Sequence, residues 1–155
     1  MKLLVKVIAL LLLLSTCKKQ PEFPKHADFY FEMKVNGVPQ QFYTCGGFSG
    51  GGQFECTKLR DNSLYIVAGC ADKAIIFING TNADGVYQLN NTNLAILHVN
   101  YRKSFTTNLM YTGALTIKRT VFKNINALQG NFSYQALDTS GSVTTITEGE
   151  FLMSF

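Results

Sequence analysis

Cys17 is the first residue of this chain whose surroundings equip it for chemistry. It ends an opening stretch in which Lys2 and Lys6 precede an unbroken apolar run from Val7 to Leu14, followed by Ser15 and Thr16. A basic start, a short apolar centre and small polar residues before one cysteine have the order of an export signal. The run is shorter than the roughly 20 apolar residues that a membrane-spanning helix needs. The expected chemistry is cleavage before Cys17 and lipidation of its thiol. Each acyl CH₂ buried in a bilayer then contributes about 0.8 kcal/mol to membrane attachment. Thr16 stands where such signals usually carry Gly, Ala or Ser, and a plain secretion signal with Cys17 as bystander is the alternative.

A second stretch, Gly47-Phe48-Ser49-Gly50-Gly51, has the G-x-S-x-G form of a serine-hydrolase nucleophile elbow. That motif works where a strand turns sharply into a helix and an acid and a histidine follow. Here Ser49 lies among glycines, the residues after it read as a strand, and His98 is the one histidine downstream. A surface loop is the better expectation, because polyglycine is costly to order. His98 alternates with Ala95, Leu97 and Val99 and points away from their face. Glu148 and Glu150 make a poor acid–base pair if a bulge separates them. No catalytic residue, metal site or cofactor is expected.

Three further cysteines, Cys45, Cys56 and Cys70, can form one disulfide and leave one thiol over. Disulfides persist in an exported protein. Cys45 and Cys56 flank the glycine-rich stretch, so that pair is favoured. The loop it would close, with Gly46, Gly47, Phe48 and Ser49, is the candidate ligand loop. Zinc is not expected, since no C-x-x-C spacing occurs.

The chain has 155 residues and a formal charge of +4. From Ala27 onward, however, nine Lys and Arg balance nine Asp and Glu. The excess sits in the leader and in a segment with Lys18, Lys19 and Lys25, broken by Pro21 and Pro24. A neutral domain lacks the basic footprint that nucleic acid requires. The expected organisation is a signal peptide over 1–16, a lipid-anchored tether over 17–26 and one domain over 27–155.

That domain reads as all-β. Phe29, Phe31, Met33 and Val35 fall on one face of a strand and Glu32 and Lys34 on the other. Asn36-Gly37 supplies a type I′ turn, which pairs Val35 with Val38 and sets Phe31 opposite Phe42. Further strands are expected at 54–59, 64–70, 73–79, 86–89, 94–105, 109–122, 128–137 and 143–155. In the last, Ile146 and Phe151 face the same way only if Glu148-Gly149 forms a β-bulge. Short connections favour an antiparallel meander of about nine to ten strands, forming a two-layer β-sandwich or a flattened barrel.

In this order of phrases the chain resembles the uncharacterised small lipoproteins of Bacteroidetes-type bacteria. The phrases are Met33-Lys34-Val35-Asn36-Gly37-Val38-Pro39, Gly85-Val86-Tyr87-Gln88-Leu89, Leu115-Thr116-Ile117, Gly130-Asn131-Phe132-Ser133-Tyr134 and Ile146-Thr147-Glu148-Gly149-Glu150-Phe151. The resemblance implies a lipid-anchored all-β domain facing the cell envelope and brings no activity with it. In such bacteria acidic residues after the lipidated cysteine accompany surface display. Cys17-Lys18-Lys19-Gln20-Pro21 has none, which favours the periplasmic face of the outer membrane.

The functional expectation is a non-enzymatic binding domain for a small ligand or glycan, held to the membrane by its N-terminal lipid. One alternative is a structural or assembly lipoprotein that docks an envelope protein. Another is a small integral outer-membrane β-barrel, suggested by the alternation of Phe151, Met153 and Phe155.

Overall fold

The computed structural model describes residues 28–42, 53–80, 84–100 and 102–155. Among them the strands are β1 (Tyr30–Val35), β2 (Val38–Phe42), β3 (Gln53–Lys58), β4 (Leu64–Gly69), β5 (Lys73–Ile78) and β6 (Gly85–Leu89). They continue with β7 (Leu94–Val99), β8 (Lys103–Thr106), β9 (Gly113–Phe122), β10 (Ile125–Leu137) and β11 (Val143–Ser154). All pair antiparallel in one sheet that curls into a half-barrel.

Asn and Asp side chains build the connections. Asp61 accepts the Ser63 amide at 2.9 Å, Asn90 that of Thr92 at 2.7 Å, and Asn108 that of Met110 at 2.8 Å. Each is an Asx-turn, in which the short side chain substitutes for a backbone acceptor. Asp138 does the same for Ser140 and Ser142, each at 2.8 Å. The Ser140 hydroxyl and these amides hold its carboxyl below the usual range.

The first hairpin has the register expected from Asn36-Gly37: Val35 pairs with Val38 and Phe31 with Phe42. Both turn residues have positive φ, 50° and 81°. The bulge at Glu148 is also present, with φ of 49°. It shifts the register of β11 against both neighbours, and Ile146 and Phe151 consequently share the interior face. The strand expected over 94–105 is two strands. Asn100, with φ of 50°, turns the chain back, and Arg102 N donates to Val99 O at 3.0 Å. The described residues therefore form eleven strands, one more than the upper expectation.

Strand order is less sequential than a meander. It runs β2-β1-β11-β10-β8-β7-β5-β4-β3, with β11 seated between the first and tenth strands. At β10 the sheet forks. Residues Ile125 to Tyr134 pair with β9, which pairs in turn with β6, while Leu137 meets Thr106 of β8.

Aromatic rings fill the interior near the fork. Phe31 stacks on Phe151 with centroids 5.8 Å apart and lies 5.1 Å from Phe132. Two glycines make room for them. Gly130 pairs with Phe151 and Gly149 with Phe132, so each ring covers the glycine opposite it. On the other face of β1, Glu32 and Lys34 are not solvated as the alternation implied: they are only 4% and 6% exposed. Lys34 Nζ donates to Glu148 at 2.7 Å, a contact the bulge makes reachable. Gln41 Nε2 donates to Glu32 at 3.1 Å.

Candidate functional site

Where the half-barrel is open, the end of β2 approaches the β4–β5 turn. The turn is tight because Gly69 has φ of 114° and Cys70 N donates to Asp72 O at 2.9 Å. Phe42, buried at the end of β2, lies directly against Gly69: a Cβ there would come within 2.7 Å of its ring. Between these elements is a cleft of about 450 Å³, lined by Gln40, Gln41, Phe42 and the residues from Gly69 to Asp72. Two smaller depressions among the described residues, one lined by Thr112 and Tyr134 and one by Lys118 and Gln129, measure about 230 Å³ each.

Gln40 pairs with buried Met33 and therefore lies on the inner face of the edge strand, whereas Gln41 pairs with Glu32 on the outer face. Asp72 is fixed by accepting the Asn100 amide at 2.7 Å. The rim thus offers amide donors and acceptors, one oriented carboxylate and an aromatic floor. Amides and a carboxylate are groups that can hydrogen-bond the hydroxyls of a polar molecule. Beyond the turn, Lys73 pairs across the sheet with His98, whose Nδ1 is 2.7 Å from the Ser104 hydroxyl. Partial burial, then the Lys73 charge, lowers the His98 pKa.

The described residues on either side of the candidate ligand loop can be placed relative to this cleft. Phe42 and Gln53, which bracket it, both lie at Gly69, one by packing and the other by strand pairing. Gly46, Gly47, Phe48 and Ser49 themselves fall outside the described residues, as do Cys17 and Cys45.

The expected Cys45–Cys56 pairing is corrected by the structure. Cys56 is a free thiol, buried on the inner face of β3 opposite Ile66. Cys70, in the cleft wall, is the disulfide-bonded residue. Strand parity puts Cys56 on that inner face: Phe54 and Cys56 point inward while Glu55 and Thr57 point out, so the Cys56 thiol is packed into the core. That signal was present in the sequence. The components of the cleft were not, since Gln40 and Asp72 are joined only by the curl of the sheet. Among the described residues no three His, Cys, Asp or Glu side chains are placed to share a metal ion.

Burial pushes the Cys56 thiol up to about 12, so little thiolate exists at neutral pH. A maleimide is therefore expected to leave Cys56 unmodified in the native protein and to label it once guanidinium unfolds the chain. Rapid native labelling at Cys56, followed by peptide mass spectrometry, would place its side chain at the surface instead.

Compared with protein-family profiles, curated proteins and solved structures, the chain matches none of them.

Proposed function

We propose that this protein is a lipid-anchored domain of the bacterial cell envelope that binds a small polar ligand, a glycan fragment, in the cleft beside Gly69. The observation that carries the reading is a cleft of about 450 Å³ in which the inner-face Gln40 of β2 lies across from Asp72 of the β4–β5 turn, with Phe42 between them. That volume falls within the roughly 300–1,000 Å³ of small-molecule sites. Glycans suit such a rim because amides and a carboxylate match hydroxyls while an aromatic ring covers the sugar face. The reading assigns no reaction to the site.

The anchor belongs to the same proposal. Export and lipidation of Cys17, attachment at the periplasmic face of the outer membrane, and kinship with the Bacteroidetes-type lipoproteins rest on the sequence phrases given above. An integral barrel is disfavoured by the outward faces of the long strands. Thr116 and Lys118 on β9 and Gln129, Asn131, Ser133 and Gln135 on β10 are polar or charged there, whereas a lipid-facing band must be apolar.

Titration calorimetry with a panel of oligosaccharides tests the cleft. A ligand found this way should bind Asp72→Ala and Gln40→Ala about tenfold or more weakly, since each lost charge-assisted or buried hydrogen bond is worth about 1.5–3 kcal/mol. Equal affinity for wild type and both variants would exclude the cleft as the site. The filled aromatic interior favours a second reading, an assembly lipoprotein that docks a protein partner along a sheet edge. Of the edges, β2 carries Pro39, which cannot donate to an added strand, whereas β6 exposes Val86.

A further inference from the structure

We infer that the tip of the β9–β10 hairpin is a membrane-docking surface that seats this domain on the bilayer. The inference builds on the lipid-anchor reading, which supplies the membrane.

Lys123 and Asn124 form a two-residue turn with φ of 50° and 63°, so the hairpin ends abruptly. Around it stand apolar side chains with no core to fill: Val121 is 66% exposed, Ile125 46% and Phe155 37%. Phe155 is held at this end by donating its amide to Asn126 O at 3.0 Å. Cations lie over the rings, Arg119 5.6 Å from the Phe155 centroid and Lys123 5.4 Å from that of Phe122. Asp28 and Asp84 are the acids nearby, against Lys118, Arg119 and Lys123. Aromatic and aliphatic groups at the extremity, with basic groups just behind, match the boundary between acyl chains and anionic headgroups.

What points to a bilayer is where the chain enters the domain. Asp28 ion-pairs with Lys123, and Phe29 packs edge-on against Phe122 at 5.4 Å. The chain from the anchor therefore arrives at this tip. Ten residues lie between Cys17 and Asp28, and those eleven steps of chain can span at most about 40 Å. The tip is thus the part of the domain held closest to the lipid, and Lys18, Lys19 and Lys25 add charge of the same sign. The opposite end of β9, after the loop with exposed Leu109 and Met110, has no such connection.

A benzophenone amino acid placed at Val121, or separately at Met110, reads the contact directly. Both sites are exposed, so neither replacement disturbs the core. The full-length protein is reconstituted in vesicles of phosphatidylethanolamine and phosphatidylglycerol, illuminated and weighed intact. Lipid adducts at 121 and none above background at 110 are expected. Adducts at neither position, or equally at both, would overturn the docking surface, as would a protein adduct from native membranes at 121. The same spectrum reports acyl mass on Cys17 independently. An acylated chain without adducts retains the anchor and rejects the tip; an unmodified chain with adducts at 121 does the reverse.

Discussion

Replacing Phe151 by Ala is expected to destabilise the domain by about 3–5 kcal/mol. Folding free energies of such domains are about 5–15 kcal/mol, so the loss is a large share of the total. Phe151 is fully buried and lies where three strands meet, stacked on Phe31 of β1 and 6.3 Å from Phe132 of β10. Removing the ring leaves a cavity that rigid neighbouring strands cannot close. Urea unfolding should show a lower midpoint at unchanged slope. A loss below about 1 kcal/mol would mean that the interior collapses onto the gap, contrary to close packing. The ring also explains a glycine. A Cβ on Gly130 would stand 2.4 Å from Phe151 and 2.8 Å from the Thr116 carbonyl. Gly130→Ala alone should cost about 1–3 kcal/mol through overpacking. In the Phe151→Ala background it should cost less, because one of the two clashes is gone.

Gly69→Ala carries the second large effect, estimated at about 2–5 kcal/mol from a left-handed backbone and overpacking together. At φ of 114° an L side chain is strained, and the added Cβ would sit 2.1 Å from the Asp72 carbonyl. Backbone cannot yield as a flexible side chain does, so the β4–β5 turn must open. Asp72 and Phe42 then move apart, and ligand binding at the cleft should disappear with the stability. Thermal unfolding and oligosaccharide titration of the variant measure both. Wild-type affinity in a destabilised Gly69→Ala protein would uncouple the turn from the binding site.

The parts of the fold legible in the sequence are those that neighbouring residues decide. Asn36-Gly37 dictates a turn geometry and hence the Phe31–Phe42 pairing. The parity conflict between Ile146 and Phe151 demands one extra residue, and Glu148 provides it. Strand order has no such local signature: alternation tells which face is buried but not which strand lies alongside. Placing β11 beside β1, and β6 beside β9, depends on long-range packing. One turn was also hidden because it lacks glycine, at Asn100, where asparagine takes positive φ. Glu32 and Lys34 read as solvated because charges usually are. Their burial is made tolerable by Gln41, which the hairpin sets opposite Glu32, and by Glu148, a distant partner of Lys34 that only the folded sheet brings near. The cleft falls in the same class, whereas the inward parity of Cys56 was available from Phe54-Glu55-Cys56-Thr57 alone.

The central claim, a lipid-anchored ligand-binding domain, is tested most directly by the native mass of the full-length protein extracted from its own membrane in mild detergent. The account predicts a chain that begins at Cys17, carries acyl mass, and retains a further few hundred daltons that Asp72→Ala does not. An unacylated chain that carries no such additional mass would contradict it.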